Sequence, residues 1–275
     1  MVRLLKFEVN KNIFLYIRIK KMKNINKYIK ESIAAPGVLV KSKNELIKTI
    51  KDSLDKGVVD LNFIDTSKIT DMSSLFYKGV ELAKYDKSIQ ETIDISEWDT
   101  SNVNNMSDMF AYAKYFNCDL SKFDTTKVKS MDGMFYNCEK FNCDLSNWDV
   151  DNVETMRNMF NGCLQFNSDL SDWNVTKVDD MDSMFEGCTR FEGNGLEGWD
   201  VSNVQSMDYM FMKCLVFNVD LSDWNVSEDV DQHNMFTRCQ LLERYGNLPD
   251  WWIENPDRMD DEEDYEEEDD EDDDF

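Results

Sequence analysis

The sequence is poor in the residues from which catalytic and metal sites are usually built. It contains one histidine, His233, among 275 residues, so the common histidine-based sites have almost no material. Three prolines and ten glycines are too few for a collagen or a flexible linker protein. Basic residues are also scarce, because 30 lysines and arginines stand against 56 acidic residues. The net charge of −26 argues against a general nucleic-acid binder.

The charge is distributed in blocks along the chain. Residues 1–56 carry 14 basic and 5 acidic side chains, whereas residues 257–275 carry 15 acidic side chains and one arginine. The segment 257–275 has too little apolar surface to offset the entropy of ordering, and we predict that it is disordered. A solubilising tail is the simpler interpretation. Docking on a basic partner, or mimicry of nucleic acid, is the functional alternative.

The sequence also lacks a long hydrophobic run. The apolar residues 13–17 fall far short of the roughly 20 residues that a membrane-spanning helix needs. The same run is too short and too poorly flanked for a secretory signal. We therefore predict a chain without membrane insertion, monomeric, and either cytoplasmic or associated with a virion.

The centre of the chain is an internal repeat with a period of 25 residues. Met-Phe pairs recur at 109–110, 134–135, 159–160, 184–185, 210–211 and 235–236. A column of bulky residues runs in step with them: Ile64, Trp98, Phe123, Trp148, Trp173, Trp199 and Trp224. One unit cannot bury these side chains alone, whereas stacked units can, at the inter-strand spacing of about 4.8 Å. The methionines and aromatic residues are therefore predicted to form the core.

Each unit is predicted to contain a short strand followed by a helical turn or two. In the unit that begins at Leu145, the residues Leu145, Trp148 and Val150 have the spacing of a leucine-rich-repeat strand. A second apolar set follows at helical spacing: Val153, Met156, Met159, Phe160 and Cys163. The predicted fold is α/β, a leucine-rich-repeat-like solenoid of about seven strand–helix coils.

The ends of the repeat indicate how the chain is organised. We predict a basic N-terminal segment over residues 1–41 and a capping helix over 42–57, begun by Ser42 and ended at Gly57. The repeats occupy 58–240, a C-terminal cap 241–256 and the acidic tail 257–275. An insertion over residues 77–94 lengthens the return loop of the first unit.

Cysteines follow the same periodicity. Five of the seven occupy one column and two occupy another: Cys138, Cys163, Cys188, Cys214 and Cys239, then Cys118 and Cys143. An odd total without a C-x-x-C motif is typical of free buried thiols in a reducing compartment. A disulfide between neighbouring units and a metal site are the alternatives, and we predict no metal and no cofactor.

The repeat resembles a known family. Its consensus, M-x-x-M-F-x-x-C-x-x-F-N-x-D-L-S-x-W-D-V-S-x-V, is similar to that of the BspA-like leucine-rich-repeat surface proteins, a bacterial family of unknown function. The likeness covers about residues 42–240. It implies a non-enzymatic solenoid, and some members of the family are implicated in adhesion. The chain differs from them in showing no secretion or anchoring signal.

A second resemblance concerns the N-terminal segment. Residues 22–31 are similar to the head-targeting peptides of internal proteins of tailed bacteriophages, which a head protease removes after an I-x-E sequence. The resemblance implies a processing site between Glu31 and Ser32 and a true start at Met22. An ordinary amphipathic helix is the alternative interpretation of these residues.

Two functional hypotheses follow. The first is a non-enzymatic scaffold that binds a protein through the outward side chains of the predicted strands, or through the insertion 77–94. Those side chains are Glu97, Asp99, Lys122, Asp124, Asn147, Asp149, Asp172, Asn174, Asp200, Asp223 and Asn225. This acidic face would suit a basic partner, unless its Asp and Asn residues bond the adjacent backbone instead.

The second hypothesis is a structural or packaged component of a phage particle. Weak cation binding by stacked carboxylates is a third, unspecific possibility, because the chain has no EF-hand-like loop.

Overall fold

The computed structural model describes residues 37–255. The predictions for Met22, for the processing site at Glu31 and Ser32, and for the tail 257–275 lie outside the described residues, and with them the phage hypothesis. The elements in chain order are β1 (Val38–Leu39), α1 (Lys43–Leu54), β2 (Ile64–Asp65), a π-helical turn (Leu75–Gly79), a 3-10 turn (Leu82–Lys84), α2 (Lys87–Thr92), a second 3-10 turn (Leu196–Gly198), α3 (Gln240–Tyr245) and α4 (Asp250–Ile253).

Helix α1 covers the N-terminal end of the repeats. The Ser42 side chain accepts a hydrogen bond from the backbone N–H of Glu45 (3.3 Å), which satisfies one of the free donors of the first turn. Leu46, Ile50 and Leu54 recur along one face and are buried. Strand β1 pairs in parallel with β2 beside this helix.

The units themselves are built from turns, and here the structure differs from the predicted helical turns. In the unit that begins at Leu145, six backbone hydrogen bonds close successive β-turns; they start at Leu145, Val150, Met156, Asn158, Phe160 and Cys163. Asn158 (φ 53°) and Gly162 (φ 74°) adopt the left-handed conformation, as do their equivalents in most other units. A left-handed residue every four positions interrupts the helix that the apolar spacing favours.

The predicted strand is also replaced by turns in most units. At Trp148 the backbone N–H bonds to the carbonyl of Leu145 (3.0 Å), so the chain bends where the leucine-rich-repeat spacing favours an extended segment. Only β2, in the first unit, is a strand at this position. The parallel bridges between units lie seven residues later than Trp148, in the column of Thr155.

A ladder of backbone hydrogen bonds joins each unit to the next. Met156, Asn158, Phe160 and Gly162 donate their N–H groups to carbonyls 24 residues further along, at distances of 2.8–3.0 Å. Isolated parallel bridges mark the same ladder: Asp71, Asn105, Ser130, Thr155, Asp180, Ser206 and Asp231. Alternate residues therefore satisfy their backbone groups between units, as in a parallel sheet.

Stacked aromatic rings form the core. From Phe110 to Phe236, five successive ring pairs in the Met-Phe column lie 5.6–5.7 Å apart, with interplanar angles of 2–11°. The methionines at the two repeated positions are fully buried, which confirms their prediction as core. The five tryptophans of the column, Trp98, Trp148, Trp173, Trp199 and Trp224, each donate Nε1–H to a leucine carbonyl of the preceding unit, for example Trp173 to Leu145 (3.1 Å). The tryptophans thus add hydrogen bonds to packing.

The C-terminal end continues the repeat. Trp251, in α4, stacks on Trp224 (6.5 Å between centroids, 8° between planes) and donates Nε1–H to the carbonyl of Leu221 (3.1 Å). Leu248 and Trp251 have the same three-residue spacing as Leu145 and Trp148. The segment predicted as a cap therefore contains part of an eighth unit. Trp252 packs edge-on against Phe236 and covers the end of the phenylalanine stack.

Candidate functional site

The predicted binding residues lie at the corners of the units, in short turns. The Asp149 carboxylate accepts a hydrogen bond from the N–H of Asp151 (2.9 Å), and Asp124 accepts bonds from both the N–H (3.0 Å) and the hydroxyl (2.6 Å) of Thr126. Asp99, Asn174 and Asp200 make the same bond to the residue two positions on. The side chains that were candidates for a partner thus close their own turns, which was the alternative interpretation.

A second corner turn recurs in most units, although Gly195 replaces its aspartate in the unit that begins at Leu196. Asp119 and Asp144 accept from the backbone N–H groups of Ser121 and Ser146 (2.9 and 3.0 Å). The backbone N–H and then the side chain of these serines lower the pKa of Asp119 and Asp144. Hydrogen bonding to the serine side chain and then to the backbone N–H lowers the pKa of Asp200 in the first type of corner. The corner carboxylates are therefore stabilised in their charged form by local bonds.

The remaining predicted residues alternate with these along the corners. Glu97 and Lys122 form an ion pair between neighbouring units. Asn147, Asp172 and Asp223 are exposed. Asn225 is exposed as well, in the last complete unit. The structure brings these residues to one side of the stack, beside the corner turns.

The insertion 77–94 is anchored to the rest of the chain. The Tyr85 hydroxyl donates to Asp55, next to α1 (3.0 Å), and Lys51 in α1 lies 3.8 Å from Glu81. The buried Gln90 donates to the carbonyl of Tyr85 (2.9 Å) and accepts from the N–H of Tyr115 (3.2 Å). These bonds connect the insertion to the capping helix and to the second unit.

A different surface varies from unit to unit. We call it the ladder face, and it comprises the residues equivalent to Thr155, Arg157, Asn161 and Gly162. The column of Arg157 consists of Ser73, Ser107, Asp132, Arg157, Asp182, Asp208 and His233, and the column of Asn161 consists of Tyr77, Ala111, Tyr136, Asn161, Glu186, Met212 and Thr237. The Asp149 column of the corners holds Asp or Asn in all seven units, whereas the columns of Arg157 and Asn161 change charge, size and polarity.

Part of the ladder face also has a structural duty. The N–H of Arg157 takes no part in the backbone ladder and donates to Asp132 of the preceding unit (3.0 Å), which also accepts the Thr155 hydroxyl. Asp182 likewise accepts hydrogen bonds from the N–H of Asp208 and from the Ser206 hydroxyl. In the bridge column, Asp71, Asn105 and Asp180 cap the N–H within their own units, for example Asp180 (3.1 Å). The unit of Asp231 differs, because the N–H of His233 donates to Asp208 of the preceding unit (2.6 Å). In the units of Thr155 and Ser206 the bridge column has no Asp or Asn to cap the equivalent N–H. Asp132 and Asp182 of the preceding units accept the hydrogen bond instead.

Two carboxyl groups of this region have raised pKa values. Burial, followed by the neighbouring charge of Asp182, raises the pKa of Asp180, although Arg157 lies 3.4 Å away. Burial also raises the pKa of Asp108, which borders the ladder face in the column of Asn158 and approaches the Ser74 hydroxyl (3.5 Å). The surroundings of Asp180 and Asp108 therefore disfavour the ionised carboxylate.

Three tyrosines form an aromatic patch on the ladder face. The ring of Tyr112 lies 5.1 Å from those of both Tyr77 and Tyr136, and 43% of Tyr112 is exposed. The Lys78 ammonium lies 5.2 Å from the Tyr77 ring centre. Sequence reasoning missed Tyr112, Tyr136 and Arg157 as candidates. The signal that could have found them is the variation of their columns within the chain.

The cysteines are part of the core rather than of a site. All seven thiols are free, and Cys163 donates to the carbonyl of Phe135 (3.0 Å), as its column neighbours do to theirs. Burial raises the pKa of Cys239 to about 12 and that of Cys118 to about 11, so these thiols stay protonated donors at neutral pH. Cys143 is half-buried.

Within residues 37–255, no group of three or more His, Cys, Asp or Glu side chains is arranged to hold a metal ion. No helix in this part of the chain is both long and apolar enough to cross a bilayer.

Comparison with known proteins identifies the family. The family described as Mycoplasma protein of unknown function, DUF285, matches residues 45–171, 80–198 and 165–267. The chain belongs to this family. The three overlapping DUF285 matches include every unit of the stack and all but the first two residues of α1. No curated protein and no solved structure matches the chain.

Proposed function

We propose that this DUF285 chain is a leucine-rich-repeat-like solenoid of the BspA-like type that acts as a non-enzymatic protein-binding scaffold. One observation carries the proposal: the core columns and the Asp or Asn column of the corner turns recur from unit to unit, whereas the Arg157 and Asn161 columns of the ladder face change charge, size and polarity. All units solve the same packing problem, so a position required by packing should hold the same residue in each. The variation along the ladder face supports a role there that packing does not impose.

The composition of the ladder face favours a protein partner whose surface carries basic side chains and groups that pack against aromatic rings. Tyrosine and arginine are enriched in protein interfaces, and the face contains Tyr77, Tyr112, Tyr136 and Arg157 over four neighbouring units. Asp180, Asp182 and Glu186 add negative charge in the next unit. Charge of one sign favours fast association with a basic surface.

The test compares two triple variants of the full chain. The first, Tyr136→Ala with Arg157→Ala and Glu186→Ala, removes ladder-face side chains from three adjacent units. The matched control, Asn147→Ala with Asp172→Ala and Asp223→Ala, removes three exposed corner side chains that were predicted from the sequence. Each variant is used to capture partners from the source cell, with thermal unfolding as the fold control.

The proposal expects the first triple variant to lose a partner that the wild type and the control retain, at an unchanged melting temperature. Loss of the partner in the control alone would return the binding site to the corner residues. A partner that both variants retain would contradict the ladder face as the binding surface.

A further inference from the structure

A groove lies on a third side of the stack, along the return loops. Its volume is about 480 Å³, and residues of five successive units line it: Glu91, Tyr115, Asn117, Lys140, Asn142, Gln165 and Arg190. It is separate from the ladder face, because its residues belong to the columns that follow the buried cysteines. The cationic side chains of Lys140 and Arg190 line the groove, although the net charge of the chain is −26.

The amide side chains of the groove present donors. Asn117 Oδ1 accepts the N–H of Asn142 (2.8 Å), and Asn142 Oδ1 accepts the N–H of Asn167 (2.8 Å). Each oxygen is thus occupied by the next unit, which leaves the NH₂ group of each side chain to donate. The row of asparagines therefore makes the groove suited to a ligand rich in acceptors.

The charges of the groove point the same way. Glu91, its one carboxylate, pairs with Lys87 (3.5 Å). Among residues 37–255, neither Lys140 nor Arg190 has a carboxylate within ion-pair distance. The two cations lie two units apart, roughly 10 Å at the inter-strand spacing, which equals about three residues of an extended chain. An extended peptide with repeated carboxylates can therefore reach both.

The chain itself contains such a peptide. Residues 257–275 include 15 acidic side chains. Glu192 interrupts the asparagine row after Asn167, and Asn218 resumes it in the next unit. Asn247 donates its Nδ2–H to Asn218 (3.0 Å), closer to the end of the described chain. Asn255 lies three units beyond Arg190, roughly 15 Å along the stack at the inter-strand spacing. A segment of 20 residues, 256–275, spans up to about 66 Å when extended, which is ample to return to the groove.

We infer that the groove between Tyr115 and Arg190 binds the chain's own acidic segment 257–275, through the Lys140 and Arg190 cations and the asparagine amides. The occupant follows from its charge and from its attachment to the same chain within reach of the groove. A carboxylate-rich segment of another protein would have to displace it. This inference is independent of the proposed function, because the ladder face takes no part in it.

Zero-length carbodiimide coupling of the full chain tests the contact, because it joins an amine to a carboxylate only when the two touch. Lys127 and Lys177 are matched controls: both are exposed, and they lie two units apart like Lys140 and Arg190. Mass spectrometry of a dilute mixture of isotopically light and heavy chains separates bonds within one chain from bonds between chains. We expect Lys140 to couple to the 257–275 peptide at least about tenfold more than Lys127 or Lys177, because the contact raises the effective concentration.

A charge reversal then tests the specificity. Arg190→Glu should reduce the coupling of Lys140 several-fold, whereas Lys177→Glu should leave it unchanged, with both variants melting as the wild type does. Equal coupling of Lys140, Lys127 and Lys177 would overturn the inference. So would coupling of the acidic segment mainly to lysines of residues 1–36, or mainly between light and heavy chains.

Discussion

The pKa of Asp180 on the ladder face is shifted in the direction opposite to the pKa values of the corner aspartates. At the corners, hydrogen bonds from the serine two residues later lower the pKa of Asp65, Asp200 and Asp220. On the ladder face, burial raises the pKa of Asp180. The ladder-face residue Asp71 departs from this, because Ser73 and Lys43 outweigh its burial and lower its pKa.

This difference separates two uses of aspartate in one chain. A corner aspartate is satisfied by its own turn and recurs in unit after unit because the turn needs it. A ladder aspartate is partly buried, meets other charges, and changes identity between units. The acidic composition alone does not distinguish the two, and four experiments can sharpen or break the comparison.

The largest effect should come from the phenylalanine stack that supports both regions. Phe160 is fully buried and stacks on Phe135 and Phe185 at 5.7 and 5.6 Å. Phe160→Ala should lower the free energy of unfolding by about 3–5 kcal/mol, through lost burial and the cavity that remains. Urea denaturation measures this, and the exposed Glu154→Ala should stay within about 0.5 kcal/mol of the wild type. A loss below 1 kcal/mol for Phe160→Ala would contradict the continuous stack.

The second effect concerns the hydrogen bonds that Asp132, a ladder-face carboxylate, accepts from the next unit. Asp132→Ala leaves the N–H of Arg157 and the Thr155 hydroxyl without their acceptor, so we expect a loss of about 1–3 kcal/mol in unfolding free energy. Asp132→Asn keeps the Oδ1 acceptor and should lose less than half as much. Equal losses for the two variants would show that the charge matters rather than the hydrogen bonds to the next unit.

The third effect is the removal of one corner turn. Asp149→Ala should cost about 1 kcal/mol, because the N–H of Asp151 loses its acceptor. Asp149→Asn should be nearly neutral, because Asn174 makes the same bond at the equivalent position (3.3 Å to the N–H of Thr176). Thermal unfolding at neutral pH compares them. A loss for Asp149→Asn as large as for Asp149→Ala would break the local-bond explanation.

The smallest effect tests the sign of the pKa shifts. The corner pKa values are lowered, so their stabilisation is present above the unfolded pKa of about 3.9 and is lost as the pH falls through the folded values. The pKa of Asp180 is raised, so its contribution is present at low pH and is lost as the pH rises through its folded pKa. Asp180→Asn should therefore raise the melting temperature by about 1 °C at pH 7. The gain should disappear near pH 3, and a gain that grows on acidification would reverse the assignment.

Several structural features could be predicted from the sequence because they depend on hydrophobic periodicity. The burial of Met156, Met159 and Phe160 follows from their recurrence every 25 residues, since only stacked units remove such columns from water. The turns could not be predicted from the same pattern, because apolar residues spaced by three and four positions suit both a helix and a chain of β-turns. The left-handed Asn158 and Gly162 decide between them, and they are polar or small residues that a hydrophobic pattern ignores.

The candidate surfaces were harder to predict. The corner residues follow from the strand pattern, but the structure makes Asp149 and its equivalents hydrogen-bond partners of their own backbone. The ladder face depends on which columns the bridges join, and that is a relation between residues 25 positions apart. Comparison of the units with one another would have indicated Tyr136 and Arg157, because packing alone would have repeated them.

The sequence by itself determined the period, the composition of the core and the charge of each segment, because burial of apolar side chains requires only that units of equal length stack. Tertiary structure alone decided which backbone groups each unit shares with the next, and therefore which polar side chains are used up in turns and which remain for a ligand. The reason is that a carboxylate bonds whatever donor the folded chain places nearest, and that donor often belongs to another unit.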